Sequence, residues 1–260
     1  MPWPTQRTTP PWRDLITLYL LAKLLAVIAA AVVMLQRGDQ TQAQWLSAAV
    51  ALLVMAGGAH LCRWPLPRPW PDAAQCDRVL PWLLVAPALG VLLRAGSESS
   101  YLLAMGLALP SAAAGELAEL AQATAAVAPP WAFWPATLTG ALEEEFIYRA
   151  LLLGYLVMRW HWGLALLASS AVFALPHASP VAFLGGIGLG LIYLLPRNLA
   201  VAWLAHVAAN LVHPLLQWSG ATVDPQHAWL AACWLGPLFV AFVVWASLRL
   251  KRHDVLYRPR

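Results

Sequence analysis

Residues 140–156 read GALEEEFIYRALLLGYL. Three successive glutamates (Glu143, Glu144 and Glu145) and Arg149 stand in a run otherwise made of apolar, helix-forming residues. The surrounding chain is 61% hydrophobic and only 11% charged, with a mean hydropathy of +0.64. A soluble domain carries about 25% charged residues. Lipid therefore solvates most of this chain, and the four charges belong to a membrane helix. Each such charge costs about 2.5–3.5 kcal/mol at a helix centre, so four unpaired ones would cost on the order of 10 kcal/mol. They are expected to face a protein interior or a wet cavity.

Working outward, apolar runs bounded by charges or turn residues define about eight spans. They fall near 14–36, 43–62, 79–94, 131–158, 163–177, 181–195, 199–217 and 228–249. The fold expected is all-α, a polytopic transmembrane helix bundle forming one membrane-embedded domain over residues 1–260. Several spans are shorter than the roughly 20 residues a bilayer needs, which suits helices buried in a bundle. The stretch RWPLPRPWPD from Arg63 to Asp72 is a loop, because repeated prolines cannot continue a helix. Residues 95–130, broken by Pro110, read as interfacial helices or a re-entrant piece. The N-terminus lacks a signal-peptide pattern, so the first apolar run is read as a retained anchor.

Lys and Arg in short loops orient such a protein. With both termini inside, the inner segments hold Arg7, Arg13, Arg63, Arg68, Arg78, Arg159, Arg197 and the basic tail from Arg249. The outer loops then hold mainly Arg37 and Arg94, with Asp39, Glu98, Glu116, Glu119 and Asp224. The expected location is the cell (inner) membrane, with cytoplasmic termini.

The net charge of +4 is no nucleic-acid signal, since no basic stripe runs along a polar helix. Cys62, Cys76 and Cys233 show no CxxC or metal-ligand spacing. GGIGLG (185–190) lies in an apolar span without a preceding strand, so it is no phosphate loop. Its Gly186 and Gly190 instead make a small-residue face for close helix packing.

Glu145 and Arg149 are spaced i,i+4 and can pair on one helix face. That leaves Glu143 and Glu144 without a partner. Glu144 points about 100° away from Glu145 around the axis, and a carboxylate in a wet cavity is a candidate general base. Two other spans carry polar residues. FALPHASP holds His177 four residues after Phe173, and WLAHVAANLVHP holds His206 and Asn210, four apart on one face. Counted from the inner ends of their spans, Glu144 and His177 lie about 21 Å deep, Asn210 about 17 Å and His206 about 11 Å.

Glu144-Glu145-xxx-Arg149, Phe173-xxx-His177 and His206-xxx-Asn210, in that order, resemble the motif set of the CPBP family. That family (CAAX proteases and bacteriocin-processing enzymes, also called Abi) comprises glutamate-type intramembrane endopeptidases. The resemblance covers about residues 130–215. It implies that Glu144, helped by His177, activates a water, and that His206 and Asn210 stabilise the oxyanion. Glu145 and Arg149 would support the site. It implies no cofactor and no metal, a peptide or protein substrate such as a C-terminal processing signal, and membrane lipid as surroundings. Starting the motif at Glu143 would require Arg at 148, which is Tyr148. Glu143 thus has no assigned role, and Glu143→Ala is expected to be nearly silent.

Other polar residues read as structural. His213, three residues after Asn210 and just before Pro214, could border the cavity but reads first as an end-of-helix residue, His60 lies near a helix end, and His161, His227 and His253 fall in loops or the tail. Lys23 snorkels or faces the bundle, and Trp131 and Trp134 are interfacial anchors.

Two alternatives stay open. A zinc endopeptidase could use the two His and a Glu, although no HExxH helix occurs. A proton-coupled transporter or scaffold also uses intramembrane Glu, Arg and His, although no inverted repeat is evident.

Overall fold

The computed structural model describes residues 12–37, 40–61, 73–108, 134–219 and 225–254. Among them there are eight helical rods and no strand. We number them α1 (Trp12–Arg37), α2 (Gln40–Leu61), α3 (Ala73–Ala108), α4 (Trp134–Glu145, continued through Phe146–Leu153 and Gly154–Val157), α5 (Trp162–Ala174), α6 (Pro180–Leu194), α7 (Leu199–Trp218) and α8 (Pro225–Asp254). Five of these (α1, α2, α3, α7 and α8) are long and apolar enough to cross a membrane. α5 and α6 are shorter apolar helices. The protein is an all-α, multi-pass membrane bundle.

Two elements depart from the sequence reading. The third span does not stop at 94. α3 continues to Ala108 and carries Pro81 and Pro87 within it. A membrane helix tolerates proline because neighbouring helices and local adjustments satisfy the freed backbone groups. Arg94 and Glu98 are therefore inside a helix rather than in an outer loop. At 36 residues, α3 is about 54 Å long, well beyond a hydrocarbon core of about 30 Å. The second departure is in α4. Directly after the three glutamates, Phe146–Leu153 is wound as a π-helix, and the Gly154 N–H reaches back five residues to the Arg149 carbonyl. Such turns are rare and collect at functional sites.

Local chemistry sets several helix starts. The His161 ring accepts the Gly163 N–H at 3.2 Å where α5 begins. The Asn198 side chain accepts the Val201 N–H at 3.2 Å where α7 begins. Each satisfies a backbone donor that the first turn leaves free. Pro180 opens α6, where its missing N–H is no loss.

α1 and α2 form a hairpin that lies against α4, and α3 packs between α7 and α8. The larger apolar core joins α3 through α8 around Leu153, Leu191, Ile192 and Val201. A second joins α1, α2 and the π-helical turn through Ala22, Met55, Ile147 and Tyr148. Leu20, Leu24, Val27 and Leu35 on α1 are exposed, as expected of a face against lipid. A Cβ on Gly186 would press on Ser170 and Phe173, and one on Gly190 on Leu166, so the small-residue face of α6 serves to bring α5 close. The tightest approach is elsewhere. A Cβ on Gly90 would lie 2.0 Å from the Ala205 carbonyl oxygen, so α3 can touch the α7 backbone only through glycine.

Trp134 is exposed at the start of α4, and Cys233 is an exposed free thiol. Trp131, Cys62 and Pro110, and the side chains of Cys76, His227 and His253, lie outside the described residues.

Candidate active site

α4, α5 and α7 converge on the three glutamates, and each glutamate has a different environment. Glu145 is fully buried. Its Oε1 accepts a hydrogen bond from His206 Nδ1 at 2.8 Å, and its Oε2 lies 3.3 Å from Arg149 Nε. Arg149 is itself only 1% exposed, and its guanidinium stacks 4.3 Å from the centroid of the Phe173 ring. The terminal nitrogens of Arg149 have no hydrogen-bond partner among the described residues, so the pair with Glu145 and the aromatic face carry its charge.

Glu144 is partly exposed. Its Oε2 is 3.6 Å from His206 Nε2 and its Oε1 is 3.9 Å from His177 Nε2. Both separations exceed direct hydrogen bonding and match the span bridged by one small molecule such as water.

Glu143 is not alone. Its carboxylate pairs with Lys23 Nζ from α1, and Glu143 itself is buried. This corrects the expectation that Glu143 is without a partner: the pair ties α1 to α4. A second contact lies one wide turn on, where the Tyr19 and Tyr148 hydroxyls approach to 3.4 Å. Lys23 accordingly faces the bundle.

The histidines are held in defined orientations. α5 ends in a tight turn, Leu175–His177, after which Ala178 takes a left-handed conformation (φ 47°) that non-glycine residues seldom adopt. His177 Nδ1 bonds the Phe173 carbonyl at 2.9 Å. A carbonyl only accepts, so Nδ1 carries the proton and Nε2 is left facing Glu144. His206 is fixed likewise by Glu145. The depth count made His206 the shallowest of these groups, but in the structure its ring lies beside both Glu144 and Glu145. Its ring touches both of them while Asn210, one turn further along α7, lines the open cavity.

Phe173 is the hub of the cluster. It stacks near His177 (4.8 Å between centroids), meets His206 edge-on at 6.0 Å and Tyr148 at 5.3 Å, and carries Arg149 on its face. The π-helical turn is tied to α5 by Ser169, which donates to the Tyr148 carbonyl at 2.8 Å.

A cavity of about 350 Å³ opens in front of these groups, lined by Phe173, His177, His206 and Asn210 on one side. The opposite wall comes from α3, with Arg94, Ser97, Glu98 and Tyr101. The sequence reading missed this wall, although the spacing 94, 97, 98, 101 is that of one helix face. His213 is not merely an end-of-helix residue: its Nε2 contacts Glu98 at 2.9 Å. Among the described residues, no group of three His, Cys, Asp or Glu side chains is arranged to hold a metal ion.

Fold and site together define a polytopic helical membrane protein with a carboxylate–imidazole cluster in a cavity within the bundle. Residues 126–212 match the family described as Rce1-like, type II CAAX prenyl endopeptidase, and that match supports the resemblance of this segment to the CPBP (CAAX protease) family. The matched segment contains all three motif elements, with Glu143, Tyr148, Ser169 and Phe173, while Lys23, Tyr19, the α3 wall and His213 lie outside it. No curated protein and no solved structure matches the chain. The family is one of proteases, and so a peptide or protein substrate is implied.

Proposed function

We propose that this chain is an intramembrane endopeptidase, a single membrane-embedded domain in which Glu144 is the general base. The observation that carries the reading is the placement of the Glu144 carboxylate 3.6 and 3.9 Å from the Nε2 atoms of His206 and His177, two imidazoles that line the cavity. A water held there by Glu144 and His177 Nε2 loses its proton to Glu144 as its oxygen attacks the peptide carbonyl. The carbonyl oxygen becomes an oxyanion. The Asn210 amide donates to it, and so does His206 Nε2 when the ring carries both protons. Glu145, bonded to Nδ1 of that ring, lies where it offsets the resulting charge. The proton on Glu144 then passes to the leaving amine, which restores the site. Arg149 holds Glu145 in turn, without touching substrate.

The reading extends to location: a cell (inner) membrane with both termini cytoplasmic, supported by the distribution of Lys and Arg. The substrate is a membrane-associated or exported protein or peptide, such as one bearing a C-terminal processing signal.

The test is comparative mass spectrometry of protein N- and C-termini in cells carrying the wild-type chain or Glu144→Gln. New termini present only with the wild type, reproduced by purified protein in detergent, support the reading. Identical termini in both strains, with no cleavage by purified protein, overturn it.

A further inference from the structure

α3 lies outside the segment that matches the family, yet it supplies the cavity wall opposite His177 and His206. Arg94, Ser97, Glu98 and Tyr101 all line that cavity from one side of a helix that is long and apolar enough to cross a membrane. Polar and ionisable side chains in a membrane helix are placed there against a cost, and they mark the path or seat of a polar ligand. The arrangement of Arg94 is specific. Its Nε is buried and lies 2.7 Å from Glu98 Oε1, in an ion pair too bent for a full hydrogen bond. The same oxygen is approached from α7 by His213 Nε2 at 2.9 Å. Glu98 is thus held from two helices and orients the guanidinium through Nε. The two terminal nitrogens of Arg94 have no protein partner among the described residues, and, unlike Nε, they are not buried.

We propose that Arg94 is the specificity-determining residue of this cavity and takes a carboxylate of the peptide substrate, either its C-terminus or an acidic side chain. The proposal rests on the endopeptidase reading above. A guanidinium fork offers parallel N–H donors that match the two oxygens of a carboxylate, and such charge-assisted pairs are about twice as strong as neutral hydrogen bonds. The Glu98 charge is already shared between Arg94 and His213, and the fork is fixed in direction before the ligand arrives. A carboxylate seated on α3 lays the upstream peptide across the cavity toward Glu144 and Asn210. Cleavage then falls at a fixed distance from that carboxylate, whatever the residues between.

The experiment uses the full chain in liposomes and a synthetic peptide library tethered to the bilayer through its N-terminus. The library is made in three forms: free C-terminus, amidated C-terminus, and amidated with every Asp and Glu replaced by Asn and Gln. Products are read by mass spectrometry. The wild type is expected to prefer a carboxylate-bearing form by about 10–100-fold in kcat/KM, the worth of a hydrogen-bonded charged group. Arg94→Gln should bring that ratio close to one. Arg94→Lys, which keeps the charge beside Glu98, should retain part of it and guards against a folding artefact. Loss of the preference on amidation alone identifies the C-terminus; loss only in the third form identifies a side chain. Cleavage by the wild type without any preference, or a preference unchanged in Arg94→Gln, overturns the role of Arg94. No cleavage of any form overturns the endopeptidase reading itself, and the Arg94 proposal with it.

Discussion

Lys23 on α1 pairs with Glu143 on α4, the residue immediately before Glu144. The pair joins positions 120 residues apart and ties α1 to α4. Losing one partner of a buried pair costs about 3–5 kcal/mol, because the other charge is stranded. Lys23 is 39% exposed, so the lower end of that range applies. Lys23→Met is expected to lower apparent melting in detergent by at least ~5 °C. The double variant Lys23→Met/Glu143→Gln should recover most of the loss. Equal melting of the wild type and Lys23→Met would show that the pair contributes nothing.

Glu144 makes no direct hydrogen bond among the described residues, and it is partly exposed. Its loss should leave folding intact. Glu144→Ala is therefore expected to accumulate and melt like the wild type while cleavage falls by about 10²–10⁴, the usual contribution of a general base. An active Glu144→Ala together with a folded but inactive Glu143→Ala would shift the catalytic role by one residue.

Arg149 is buried between Glu145 and the Phe173 ring. Arg149→Ala should reduce accumulation and thermal stability as well as activity, by about 3–5 kcal/mol. Arg149→Lys should rescue little, since an ammonium lacks the flat face that stacks on Phe173. The measurement is melting in detergent beside cleavage. Unchanged melting with lost cleavage would assign Arg149 to substrate contact.

Gly90 permits the close approach of α3 to Ala205, the residue before His206. Gly90→Ala must push the two helices apart, at about 1–3 kcal/mol of overpacking. His206 would move from its 2.8 Å contact with Glu145. Cleavage should fall out of proportion to the loss of stability, and Gly57→Ala on α2, with open space around it, is the matched control.

Metal dependence separates two enzyme mechanisms. If His206 and Asn210 carry the oxyanion, Asn210→Ala should lose about 10²–10³ in turnover yet remain measurable. Activity should persist in a strong zinc chelator. Stoichiometric zinc by elemental analysis, with activity lost on chelation and restored by zinc, would sink the water-activating glutamate.

By itself, the sequence determined that the chain is helical and membrane-spanning, where most of the helices run, and that Glu145 and Arg149 share a face. It also singled out Glu144, His177, His206 and Asn210. The helices and the shared face follow from composition and from the 3.6-residue period, and the four site residues from polar groups in apolar spans together with the resemblance of their spacing to the family motifs; all are local properties that a linear string carries. The tertiary structure decided the rest. Lys23 is the partner of Glu143, His206 lies beside Glu144 and Glu145, and the polar face of α3 forms the second wall. Each depends on how far one helix slides and turns against another. That is set by packing summed over many residues, as where Gly90 meets Ala205, and no single stretch encodes it. The π-helical turn belongs to the same class. Nothing in FIYRALLL forbids an ordinary α-helix, and in the fold that segment is almost wholly buried, with Ser169 of α5 bonding its Tyr148 carbonyl.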